Sequence, residues 1–286
     1  MNMALYGMIQ SSLLYYNKFV KDITKLGFKI NPYDPCVANR MIKGKQHTLT
    51  WHVDDIKSSH VDPKVNDEFH DWLQKTYGDV AEVKSTRGKI HDYLGMILDY
   101  SIEGKVGIDM RYYVVDMCKE FDKTDPITNS QYPWDTSLFK VDESSPALQK
   151  GRAEEFVTFV YKALFVSKRA RPDVAPAISF LTTRVKAPTK EDWAKLKKMM
   201  RFLKRTAEDV MYLEADSMRS FKWHLDAAFA VHPDMKSHTG ATMTMGKGVI
   251  QSVSTKQKIN TRSSTEAELV SFDDILSRCM WTKLFF

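Results

Sequence analysis

The sequence predicts an α+β protein, on three observations. Residues 11–28, 63–77, 191–205 and 263–286 place apolar side chains at helical spacing, whereas 36–41, 48–53 and 221–230 follow strand spacing. Gly-containing turns join consecutive strands at Lys43-Gly44-Lys45, Glu103-Gly104-Lys105 and Met245-Gly246-Lys247-Gly248, which suits antiparallel hairpins. A hydrophobic content of 43% with 12% aromatics over 286 residues is enough for one large core or two, and excludes a disordered chain.

The first helix is expected from Ser11 and Ser12 as caps, through Leu13, Tyr16, Phe19, Ile23 and Leu26, to Gly27. In the second strand Leu49, Trp51 and Val53 alternate with Thr50 and His52, so one face is buried and the other free. Pro63 opens the next helix. Tyr93-Leu94-Gly95-Met96-Ile97-Leu98 and Val106-Gly107-Ile108 read as a further hairpin. The stretch from Asp122 to Leu148, rich in Asp, Thr, Ser and Pro, reads as a linker or crossing segment. Helix resumes at Glu154. Along 191–205, Trp193, Leu196, Met200 and Leu203 form one stripe, and Lys195, Lys198, Arg201, Lys204 and Arg205 lie among the cations filling the rest. Met199, Met200 and Met211 read as core filling.

Lys+Arg of 42 against Asp+Glu of 36 leaves a net charge of +6, too diffuse to identify a polyanionic partner. The cysteines, Cys36, Cys118 and Cys279, fall in no metal or redox spacing and suit a reducing, intracellular setting. Neither a leader nor a bilayer-length apolar run is read, so no membrane partner is expected.

Two acidic features stand out. Trp51-His52-Val53-Asp54-Asp55-Ile56 places adjacent carboxylates where an alternating strand ends. Asp-Asp is also an ordinary turn, and locally that reading is favoured. Asp226 lies on a strand whose other face carries Phe221, Trp223 and Leu225, and Glu266 begins the last helix, where Ser263 and Glu266 also fit a capping box. The basic 195–205 face suits a phosphate backbone or plain solvent about equally. His224, His232 and His238 sit near Asp226, but without cysteine they are read as polar loop residues rather than zinc ligands.

Several strings tip this balance. Ala4-Leu5-Tyr6-Gly7-Met8-Ile9-Gln10-Ser11 resembles the A-L-Y-G-L-x-Q-S segment of copia-type retrotransposon reverse transcriptases, and Asp34-Pro35-Cys36 its D-P-C. His52-Val53-Asp54-Asp55 is similar to the polymerase signature Tyr-Val-Asp-Asp, and Tyr93-Leu94-Gly95-Met96 to F-L-G-I near the primer grip. Arg171-Pro172-Asp173, the helix from Trp193 to Leu203, and Ser263-Ser264-Thr265-Glu266-Ala267-Glu268 follow in the family's order.

The resemblance implies a reverse-transcriptase palm over 1–121, a linker with a helical thumb or connection over 122–216, and a partial RNase H-like α/β domain over 217–286. It implies two Mg²⁺ ions per active site, held by Asp54 and Asp55 in the polymerase and by Asp226 and Glu266 in the nuclease. Tyr6, Gly7, Gln10, His52 and Val53 would meet the incoming dNTP, Tyr93, Leu94 and Gly95 the primer, and Lys195, Lys198, Arg201, Lys204 and Arg205 the nucleic-acid backbone. Partners would be an RNA template, a nucleic-acid primer, an RNA/DNA hybrid and other polyprotein products such as integrase and capsid. The setting would be a cytoplasmic virus-like particle and then the nucleus. The family's first polymerase carboxylate precedes the A-L-Y-G segment, and its later nuclease carboxylates follow the last helix. The chain alone is therefore expected to be inactive or nearly so. The alternative is a non-catalytic nucleic-acid-binding or structural remnant of a decayed element.

Overall fold

The computed structural model describes residues 8–79, 82–217 and 220–286, which divide into two compact units. The first runs to Gly88 and takes in Met280–Phe286; the second is Lys89–Cys279. The expected divisions at 121 and 216 both fall inside the second unit.

In the first unit, helix α1 (Ile9–Lys25) precedes strands β1 (Lys29–Asn31), β2 (Asp34–Ile42), β3 (Lys45–His52) and β4 (Asp55–Ser59), followed by α2 (Pro63–Tyr77). The strands form an antiparallel sheet in sequence order. Lys43 and Gly44 both have positive φ, 49° and 75°, giving the tight turn that matches strand twist. Alternation buries Leu49 and Trp51 with Phe19 and Ile23 of α1 and Phe69 and Leu73 of α2. The opposite face keeps Thr48, Asn39 and Gln46 in a hydrogen-bonded row.

Three expectations fail locally. α1 begins two residues before Ser11 and has no side-chain cap, and Leu13 is 60% exposed because the packed face starts only at Tyr15. Val53 does not continue the buried row of Leu49 and Trp51: it is 53% exposed, since its φ of 55° turns the chain there. α2 begins at Pro63 as expected, with Asp62 accepting from the Lys64 N–H.

The second unit begins with strands β5 (Ile90–Tyr93), β6 (Met96–Asp99) and β7 (Lys105–Asp109) and helix α3 (Arg111–Thr124). Tyr93–Leu98 is thus two strands, broken at Leu94-Gly95, whose φ values of 54° and 75° make a two-residue hairpin. Helices α4 (Lys150–Ser167), α5 (Ala175–Thr182) and α6 (Lys190–Arg205) follow, then strands β8 (Met211–Ala215), β9 (Lys222–Ala228), β10 (His238–Thr244), β11 (Gly246–Lys247) and β12 (Gln251–Lys256), and helix α7 (Ser264–Phe285). One antiparallel sheet has the order β11-β8-β7-β6-β5, the other β12-β10-β9, so β9 is an outer strand. Phe121 of α3, Phe156 and Phe159 of α4, Ile178 of α5 and Leu196 and Leu203 of α6 fill the main core.

The irregular stretch after α3 is ordered by α6. Trp193 Nε1 donates to Asp125 Oδ2 at 2.7 Å and Lys197 Nζ to Asp125 Oδ1 at 2.6 Å. Ile127 and Leu138 anchor the same stretch in the core. Asp125→Ala leaves the indole N–H of a residue only 8% exposed without its acceptor. The expected cost is about 1–3 kcal/mol in urea unfolding; a change of a few tenths would show that water replaces the carboxylate.

α7 departs from the expected amphipathic pattern. Ala267, Ser271 and Ile275 are buried, while Leu269, Phe272 and Leu276 are 68%, 53% and 40% exposed. Near its end, in the first unit, Trp281 Nε1 donates to Tyr33 O at 2.9 Å and Phe285 O accepts from Asn31 Nδ2 at 3.2 Å.

Candidate functional site

The first acidic site is the tip of the β3–β4 hairpin. His52 pairs with Asp55 across the ladder, so Val53 and Asp54 are its two loop residues. His52, Val53, Asp54 and Asp55 are all exposed. A β-branched residue in the left-handed region is strained by about 1–3 kcal/mol, which a hairpin bears when neighbouring strands over-determine the turn. The field of Asp54 reaches α1: burial chiefly, and Asp54 secondarily, push the Tyr15 phenol above its ordinary range. Gln10 is exposed on α1, and Tyr6 and Gly7 lie outside the described residues. Tyr93, Leu94 and Gly95 form the end and turn of the β5–β6 hairpin in the other unit.

The second acidic site lies on β9 and α7. β9 alternates as expected, with Lys222, His224 and Asp226 exposed and Trp223 and Leu225 half-buried. Glu266 is engaged in capping: its backbone N–H donates to Ser263 Oγ at 3.1 Å, and its Oε2 accepts from Arg262 N at 2.6 Å. The acid that α7 lays against β9 is Glu268, whose Oε1 accepts from the Ala227 N–H at 3.1 Å. One turn on, Ser271 Oγ donates to the Asp226 carbonyl at 3.3 Å. Sequence reasoning passed over Glu268: helical periodicity sets positions 268, 271 and 275 on neighbouring rows, but only the packing of α7 shows that those rows meet β9. Among the described residues, no three His, Cys, Asp or Glu side chains come together as a metal-ion group.

The α6 cations expected on the nucleic-acid backbone, Lys195, Lys198, Arg201, Lys204 and Arg205, all have partners within the chain. Lys195 reaches the Lys140 carbonyl and, at 3.0 Å, the Glu191 carboxylate; Lys198 pairs with Asp135. Arg201 donates to Asn129 O at 3.1 Å, Lys204 to Ile127 O at 2.8 Å and Asp122 Oδ2 at 3.2 Å, and Arg205 to Gln131 O at 3.4 Å. These cations stitch the irregular stretch onto α6.

His232 and His238 are not loop-surface residues. They are 5% and 6% exposed, with His232 Nε2 and His238 Nδ1 3.0 Å apart and His238 Nε2 2.7 Å from Ser254 Oγ. Burial holds both well below the ordinary imidazole range, at about 4.

No protein-family model matches the chain. Its homologues are nonetheless clear, and they are Ty5/copia-type retrotransposon Pol polyproteins along the whole chain. A transposon Ty5-1 protein of Saccharomyces cerevisiae is 22% identical over 269 residues, covering 93% of this chain and 85% of the relative. The Pol polyprotein from transposon TNT 1-94 of Nicotiana tabacum is 25% identical over 291 residues and 100% of this chain, and that from transposon RE1 of Arabidopsis thaliana 25% over 286 residues and 97%. The chain spans only 22% and 18% of those two polyproteins.

Proposed function

We propose that the chain is the part of a retrotransposon Pol polyprotein that carries two carboxylates of a reverse-transcriptase palm and the leading acids of an RNase H-like unit. The observation that carries this reading is the strained two-residue hairpin that holds Asp54 and Asp55 exposed at a sheet's rim. Adjacent carboxylates repel, and a divalent ion offsets that repulsion while activating an attacking hydroxyl and neutralising leaving phosphates. Mg²⁺ suits oxygen ligands of this kind. In the second unit the acids of the reading are Asp226 and Glu268, in place of Glu266, whose carboxylate already serves the helix start. RNA template, primer, hybrid and dNTPs are the corresponding partners, and a cytoplasmic particle followed by the nucleus the corresponding setting.

Because no third metal-binding side chain joins either pair among the described residues, the test reads metal binding rather than turnover. Mn²⁺ is expected to broaden the amide resonances around Asp54 and Asp55, and Asp54→Asn with Asp55→Asn to weaken that binding at least about tenfold. Template-primed dNTP incorporation by the isolated chain is expected at background. Broadening that survives both substitutions, or incorporation that does, overturns the assignment. The same lack of a third ligand favours one other reading, a nucleic-acid-binding remnant without catalysis. Hybrid binding that is salt-dependent, independent of Mg²⁺ and unchanged in Asp54→Asn would select it.

A further inference from the structure

A cleft of about 370 Å³ opens between helix α3 and the β5–β6 hairpin, and it shares no lining residue with either acidic site. Met110 and Met117, each 3% exposed, form its floor, and Met96 and Ile97 of β6 line one side. Helix α3 supplies the other: Tyr112, Asp116 and Glu120 follow at four-residue spacing and so share a face. Asp92 on β5 stands opposite Ile97 across the ladder, and Asp109 ends β7. Thioether side chains adapt to what they meet, so a methionine floor suits an apolar guest.

Four carboxylates and one ammonium line this cleft, in a chain whose net charge is +6. Two of the acids are committed. Asp109 accepts from Arg111 Nε at 3.0 Å and Nη2 at 2.8 Å, and Glu120 pairs with Lys162 of α4. The other two are in excess. Asp116 has only a 3.8 Å contact with Lys119, between side chains 60% and 70% exposed, which is worth little in water. Asp92 is exposed and has no ion-pair partner among the described residues. Lys162 shows what these walls accept: a cation on a methylene stem, 5.8 Å over the Phe159 ring, with its head on a carboxylate. Tyr112, 81% exposed, adds an aromatic face one turn from Asp116. A planar guanidinium stacks on such a ring while bonding a carboxylate, which a compact ammonium does less well. The same charges repel a phosphate backbone.

We propose that this cleft docks an arginine-bearing apolar segment of a protein partner. An apolar side chain of the segment lies on the methionine floor, and its guanidinium lies on Tyr112 and bonds the Asp116 carboxylate. Asp92 adds negative charge that draws the segment in and disfavours acidic competitors. The cleft serves this role whether or not Asp54 and Asp226 hold metal.

The test is an NMR titration of the full chain, labelled at its methionine methyls, with a short peptide alternating leucine and arginine. The Met96, Met110 and Met117 signals are expected to move together, while that of Met243, buried on β10 in the other sheet, stays in place. Added salt should weaken binding. Asp92→Lys with Asp116→Lys turns two attractions into two repulsions and should weaken it about tenfold. Both positions are exposed, so the fold is spared. Tyr112→Ala, which removes a ring that packs little, should weaken binding about two- to fivefold. Three methyl signals that do not move overturn the proposal, as does binding unchanged in both variants. Equal binding of a peptide with glutamate in place of arginine would mean apolar adhesion alone and also overturns it. Argininamide moving the same methyls as strongly as the peptide would make this a small-cation site, and a short RNA doing so a phosphate site; either result overturns the protein partner.

Discussion

Phe121→Ala is expected to lower the unfolding free energy of the second unit by about 3–5 kcal/mol. The ring is fully buried on α3, stacked at 5.3 Å on Trp193 of α6 and edge-on at 4.8 Å to Phe159 of α4. Three helices thus meet on one side chain, and alanine would remove both ring contacts and leave a void that packed helices can only partly close. Trp193 would lose its stacking partner while still tied to Asp125 and covered by Arg152 at 4.5 Å. Those ties resist the collapse that would soften the cost. Urea unfolding followed by circular dichroism checks this; a loss below about 1 kcal/mol would mean that the three helices do not pack as described.

Acidification is expected to destabilise both units between pH 6.5 and about 4. His47 in the first unit is fully buried, accepts from Arg40 Nε at 3.2 Å through Nδ1, and contacts Ser58 Oγ at 2.8 Å through Nε2. Burial first, then the Arg40 and His60 charges, hold it at about 4. Arg40 donating to Nδ1 leaves the proton on Nε2, so Ser58 Oγ accepts there and donates its own hydrogen bond to Asn66 Oδ1, 2.8 Å away. A second proton on the ring would break the Arg40 bond and bury a charge. Above pH 6.5 the imidazole is neutral folded or unfolded, and the stability is fully present. As pH falls through the window, the unfolded chain takes up a proton that the folded unit refuses, and stability drops until about pH 4, where both forms are charged. The loss is of the order of 3 kcal/mol for His47. His232 and His238 act in the same direction in the second unit. Stability measured by urea unfolding from pH 7 to 5 should fall steeply, and His47→Gln should flatten the slope for the first unit whatever its absolute stability. An unchanged slope in that variant would place the acid sensitivity elsewhere.

How much of this was legible beforehand depends on how far each feature reaches along the chain. Periodicity located α6 and its buried stripe, because Trp193, Leu196, Met200 and Leu203 repeat at helical spacing; the Thr189–Asp192 capping box at its start was not read. The Lys43-Gly44 turn and the alternation of β9 were equally local. Leu94 at positive φ was not foreseen, since leucine adopts that conformation only when a flanking glycine and two paired strands impose it. α3 went unread because its buried residues, Val114, Met117, Cys118 and Phe121, are interleaved with charges that weaken the pattern.

From the sequence alone it could be determined that this is an α+β chain, that Asp54 and Asp55 lie just past the end of a strand, and that Asp226 stands opposite an apolar face. Backbone sterics and side-chain periodicity act over a few residues, so short windows carry those facts. Only the tertiary structure decided that the α6 cations are occupied by the segment after α3, that Glu268 rather than Glu266 reaches β9, and that His232 and His238 are buried behind Ser254. Each of these depends on groups that are distant along the chain or on which face an adjacent element covers, and a side chain's role there is set by the partner that desolvates it.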